Sequence, residues 1–102
     1  MIGGIALQER LELKTAIDRI RRMEAIFDLL LQAWQEDPAS LWEDASIREK
    51  LNTLMQYYES RLWLADFEKD EKGMLPKELK RGVLSEDAVY DFLREIKDNL
   101  KE

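Results

Sequence analysis

The chain is 102 residues long, 45% hydrophobic and 37% charged, with a formal net charge of −6. That size and balance fit one globular domain, spanning residues 1–102, that needs no covalent staples. The absence of cysteine and histidine excludes disulfides, thiol nucleophiles, cysteine zinc sites and the usual general base near neutral pH. Acidic and basic residues are interleaved, and an acidic surface of this kind disfavours passive binding to nucleic acid or anionic lipid. No nucleic-acid or membrane partner is therefore expected.

Met1-Ile2-Gly3-Gly4 has neither the basic region of a signal peptide nor a glycine directly after the initiator methionine, so export and N-myristoylation are not expected. No apolar stretch approaches the ~20 residues that cross a bilayer, which makes a cytoplasmic location the default expectation. Residues 1–6 read as a flexible arm, because Gly3-Gly4 is costly to order as helix.

From Leu7 to about Glu36 the chain reads as one helix without proline or glycine. Leu13, Ala16, Ile20, Met23, Phe27, Leu30 and Trp34 recur at alternating spacings of three and four, a coiled-coil-like seam for an antiparallel neighbour. Toward the end of this helix the apolar arc widens to roughly 200°, through Ile26, Leu29, Leu31 and Ala33. One facing helix does not cover such an arc, so this end calls for two neighbouring elements or a homodimer through helix 1.

Asp37-Pro38 closes the helix. Ser40–Glu43 and Ser46–Glu49 both fit the capping box, predicting a short helical piece at 40–44 and a second long helix from Ser46. Its stripe is Ile47, Leu51, Leu54, Tyr58, Leu62 and Ala65, with the helix dissolving over Asp66–Lys72 and Gly73 as its C-terminal turn residue. Leu75 and Leu79 flank Pro76 as leucines tucked inward, and Gly82 marks a left-handed or tightly packed bend. Ser85 caps a third helix whose buried face is Val89, Phe92, Leu93, Ile96 and Leu100. The expected architecture is all-α: a long antiparallel hairpin (about 7–36 and 46–67), an irregular connector, and a C-terminal helix (about 86–100).

The central stretch carries further information. Tyr57-Tyr58-x-Ser60, Trp63-Leu64-x-Asp66 and the run Leu75-Pro76-x-x-Leu79-Lys80-Arg81-Gly82-Val83-Leu84-Ser85-Glu86-Asp87-x-Val89-Tyr90 together resemble a bacterial family catalogued as a domain of unknown function. The resemblance runs over roughly residues 46–93. It implies a small cytoplasmic bacterial protein, mostly Gram-positive in distribution, with no catalytic residues to carry over.

Each chemical constellation in the chain has a plainer structural account. Asp66, Glu68, Asp70 and Glu71, with Glu86, Asp87 and Asp91, would supply oxygen ligands to Mg²⁺ or Ca²⁺. However, an EF-hand register starting at Asp66 places Glu71 where glycine is required and Lys77 where the bidentate glutamate belongs. A solvated loop and a helix N-terminus explain the same carboxylates. No metal or other cofactor is predicted. Lys77, Lys80 and Arg81 form a small basic patch, accounted for by pairing with those acids or by gripping a partner's carboxylates. Among the aromatics, Tyr58 fits the core stripe, Tyr57 is left for the connector or a partner, and Trp42 is the expected exposed one. Serines 40, 46, 60 and 85 have no histidine or cysteine companion for nucleophilic catalysis.

The resulting expectation is a non-enzymatic protein–protein interaction module. Its candidate surface is Tyr57, Trp63, Asp66, Lys80, Arg81, Glu86, Asp87 and Tyr90, facing an unidentified protein partner. The alternative is an acidic decoy or inhibitor of a basic or nucleic-acid-binding protein, and third comes a carboxylate-dependent metal enzyme.

Overall fold

A computed structural model describes residues 2–100, with side chains described from residue 7. It is built of α1 (Ile2–Glu36), α2 (Ser40–Glu43), α3 (Ala45–Tyr58), α4 (Arg61–Glu71), a 3-10 turn (Gly82–Leu84) and α5 (Glu86–Leu100). No strand occurs among the described residues, as the sequence reading requires. Helix α1 starts earlier than predicted and takes in Gly3-Gly4; the side chains of the expected arm at 1–6 lie outside the described residues.

At 35 residues and about 1.5 Å per residue, α1 runs most of the 59 Å long axis. Leu7 through Glu12 are all exposed, so its first described turns overhang the body. Farther along, Ala16, Ile20, Met23, Phe27 and Leu30 are buried, and Leu13 and Trp34 are partly so. This is the predicted seam. Its wide arc is covered within the chain by α2 and α3 on one side and α5 on the other. Leu41 is carried into the core by α2, and Phe92 of α5 meets Phe27 edge-on at 5.6 Å. Leu29, at the margin of that arc, stays 39% exposed.

The second arm differs from expectation at both ends and in its middle. The cap of α3 is Asp44, whose Oδ1 accepts from Ser46 N and Ile47 N at 2.9 and 3.3 Å, in place of Ser46. An aspartate in extended conformation just before the first turn satisfies the free amides that a serine two residues later, already inside the helix, would miss. The helix then breaks at Glu59-Ser60. Ser60 is extended (φ −92°, ψ 163°); its Oγ donates to Tyr57 O at 2.6 Å and accepts from Trp63 N at 3.3 Å. That restart re-registers everything downstream. Leu62, predicted in the stripe, is 52% exposed, while Trp63 and Asp66 turn inward. Helix α4 also runs on through the predicted end zone to Glu71.

Gly73 ends α4 with φ +70°. Met74 N reaches Lys69 O and Gly73 N reaches Asp70 O, each at 3.0 Å, the paired closing bonds of a Schellman end. Leu75 and Leu79 are buried, as read from the sequence. Gly82 has no positive φ. Its requirement is space, since a Cβ there would sit 3.3 Å from Glu24 Oε1. Ser85 Oγ accepts from Ala88 N at 3.3 Å and opens α5. Phe27 to Phe92 and Trp34 to Glu95 set α5 running in the same direction as α1, with α3 opposed to both. No described helix is long and apolar enough to cross a membrane.

Candidate functional site

The deepest polar group in the molecule is the Asp66 carboxylate, with no exposed surface. Its Oδ2 accepts from Arg19 Nε at 2.9 Å and Tyr57 Oη at 2.7 Å, and its Oδ1 accepts from Arg19 Nη2 at 2.6 Å. The planar guanidinium fork suits this two-oxygen grip. Burial, then the hydrogen bond to Asp66, push the Tyr57 hydroxyl well above the ordinary phenol range. The Asp66 hydrogen bond likewise raises the Arg19 guanidinium. One residue each from α1, α3 and α4 is therefore tied to a single point.

A second polar knot fixes the connector. Val83 N donates to Glu24 Oε1 of α1, and Val83 O accepts from Trp63 Nε1 of α4 at 2.9 Å. The Trp63 ring stacks on Phe67 at 5.2 Å and meets Tyr58 edge-on at 5.2 Å, a geometry that favours aromatic pairs beyond area burial. Arg81 spans from Asp70 (2.9 Å) to Pro76 O (2.8 Å), leaving its Nε buried without a partner. Lys80 pairs with Asp28 at 2.7 Å on the surface, and this contact raises its ammonium pKa.

The eight residues expected to share one partner surface therefore separate. Tyr57, Trp63 and Asp66 are interior, because the restart at Ser60 aims the last two at α1 and the connector. Lys80 and Arg81 are engaged with acids of their own chain: Arg81 with Asp70 of the acidic cluster, as the plainer account held, and Lys80 with Asp28 of α1, outside that cluster. Glu86, Asp87 and Tyr90 stand exposed on α5. Of the acidic cluster, Asp66 and Asp70 belong to arginines, and among the described residues no group of carboxylates is placed to hold a metal ion. Tyr58 and Tyr57 exchange their expected roles, Tyr57 being the buried one.

What remains open lies next to the exposed set. Between α3 and α5, on the side away from α1, runs a groove of about 860 Å³. Leu51, Met55 and Tyr58 line it from α3, and Tyr90, Leu93, Ile96 and Leu100 from α5. Met55 (38%), Tyr90 (53%) and Leu100 (54%) leave much of their surface to water. At about 100° per residue, the apolar arc of each helix is roughly 160° wide. Tyr57 and Phe92 turn one edge of each arc toward α1, while Met55 and Tyr90 turn the other edge into the groove. This width was the available sequence signal; of the groove-lining residues, Tyr90 alone belongs to the expected partner surface.

The mouth near Tyr58 is acidic. Glu59 lines the groove, and Tyr58 Oη donates to Glu86 O at 3.3 Å, which brings the first turn of α5 alongside. Burial first, then the charges of Glu86, Asp87 and Asp91, raise the Tyr58 hydroxyl pKa.

Residues 20–102 match the family described as "Domain of unknown function (DUF4298)", and the chain belongs to it. The match takes in about half of α1, from Ile20 onward, as well as the central motif region. No curated protein and no solved structure matches the chain.

Proposed function

We propose that the chain is a non-catalytic protein–protein interaction module that receives an amphipathic helix of a partner protein in the groove between α3 and α5. The observation that carries this reading is the groove itself, with an apolar floor and three large half-open side chains. The lining runs over Leu51–Glu59 and Tyr90–Leu100, about 12–15 Å of helix axis at 1.5 Å per residue. That length seats close to three turns of a docked helix, the mode in which apolar anchors at i, i+3, i+4 and i+7 enter a hydrophobic trough. The lack of histidine and cysteine supports the non-catalytic part, since no side chain titrates near neutrality in its ordinary state.

The test uses a photo-crosslinking amino acid placed at Tyr90 or Met55 in the groove, or at Glu9 on the α1 overhang, in source cells. The same partner protein should be captured from both groove positions and not from Glu9, and a Met55→Glu change should abolish capture from position 90. Equal capture from Glu9, or none from the groove, would overturn the reading.

A further inference from the structure

Resting on that reading, we infer that the helix received in the groove is cationic at one end, its lysines or arginines lying against Glu59, Glu86, Asp87 and Asp91 while its apolar stripe covers Met55, Leu93 and Leu100.

The argument is one of charge placement. Glu59 lines the groove at its Tyr58 end, Glu86 and Asp87 stand in the adjoining first turn of α5, and Asp91 follows one turn on, toward the α1 side of that helix; none of the four belongs to an ion pair among the described residues. Glu86 and Asp87 also stabilise the N-terminus of α5 through its dipole. Glu59 stands at the C-cap of α3, just ahead of the α4 cap Ser60, and Asp91 lies beyond the first turn of α5, so the α5 dipole does not explain the whole set. Toward the opposite end, Arg94 is taken up by Asp98 at 4.0 Å, leaving Lys97 as the unpaired cation of the groove lining. The trough is therefore polarised, acidic at one mouth and close to neutral at the other. A helix with basic residues at one end meets both halves, gaining orientation and encounter rate from the charge and affinity from the apolar contact.

Two other occupants fit less well. A second copy of this chain brings another −6 and another acidic mouth to the same groove. An anionic lipid surface is repelled by the same mouth.

The probes are two labelled synthetic amphipathic helices, about 18 residues or five turns long, with leucines at i, i+3, i+4 and i+7. One carries lysines at one end of the stripe, and the other carries glutamates at the same places. Fluorescence anisotropy on the full chain should show the lysine peptide binding at least about ten-fold tighter, with the advantage shrinking as salt rises. A Glu59→Lys, Asp91→Lys variant should reverse the preference, and Tyr90→Glu should weaken both peptides. Equal binding of the two peptides, or an unchanged preference in the charge-reversed variant, would overturn the cationic-helix inference and leave the groove reading standing. Failure of both peptides, together with no crosslinking from position 90, would overturn both. A doubled mass in light scattering that Tyr90→Glu abolishes and the lysine peptide does not displace would put a second copy in the groove, against this inference. Co-flotation with phosphatidylserine vesicles that the same substitution abolishes would do likewise for lipid.

Discussion

Around Asp66, three helices converge on polar groups that satisfy one another: two guanidinium donors and a phenol on one carboxylate, with the Glu24–Val83–Trp63 chain of bonds beside it. Around Tyr90, two helices lean on α1 and leave an apolar trough with four carboxylates at its mouth. The first region has little left to offer a partner, and the second has much. An interior of buried charges is tolerated only when every member is answered, so the Asp66 region is committed to holding helices in place. The groove carries no such obligation, and its exposed residues are free to vary in chemistry without loosening the fold. Closed polar contacts and open apolar surface thus lie on different sides of the same helices.

The largest effect should come from Asp66→Ala, which strands the Arg19 charge and the Tyr57 hydroxyl in the interior. Breaking a buried pair in this way costs about 3–5 kcal/mol, to be read from the urea midpoint. A loss under about 1 kcal/mol would break the contrast between the two regions, since surface pairs are worth that little. Next, Trp63→Phe removes the donor to Val83 O. An unsatisfied buried carbonyl costs about 1–3 kcal/mol, and amide exchange over Gly82–Leu84 should quicken while α3 keeps its protection.

A smaller effect is set by pH. The Tyr57 hydroxyl titrates higher in the folded chain than its ordinary value near 10. Above that pH the unfolded chain has released a proton that the folded one retains. The contribution is therefore whole below about pH 10 and falls as pH rises through the folded value. Tyr57→Phe should lower stability at neutral pH yet give a shallower alkaline decline than the parent in denaturation series from pH 8 upward. Parallel declines would remove Tyr57 from the account. The smallest effect is expected from Tyr90→Glu, whose stability should stay within about 0.5 kcal/mol of the parent while binding in the groove is lost. A marked destabilisation there would show that the groove edge belongs to the core after all, and the comparison would collapse.

The readable part of this fold was the part written in apolar periodicity. Ala16, Ile20, Met23, Phe27 and Leu30 recur at helical spacing without interruption, so the α1 seam follows from sequence alone, as do the inward Leu75 and Leu79 around Pro76. The break at Ser60 was not readable, because neither proline nor glycine marks it and Tyr58, Leu62 and Ala65 continue a plausible stripe through it. A stripe continued through Ser60 leaves Trp63 and Asp66 off the core seam, on the expected partner surface. Asp66 also illustrates a general limit: an aspartate among other acids reads as solvated, and its partner Arg19 stands 47 residues away. Glu24 was missed for the same reason, its bond to Val83 spanning 59 residues. The groove is a property of how α3 and α5 sit on α1. The width of two apolar arcs hints at it, but their placement is tertiary.

The distance between Glu24 and Val83 also matters during synthesis. At about 5–20 residues per second, Glu24 waits roughly 3–12 s for the peptide group it will hold, whereas a helix such as α1 forms in about a microsecond. Until α2 and α3 follow it, the seam from Ala16 to Leu30 faces water, and the side that α5 covers stays open for the whole interval. Arg19 and Glu24 flank that seam, and as solvated charges they act as gatekeepers against premature association. The same two side chains that later fasten the helices together first keep the nascent chain apart from its neighbours.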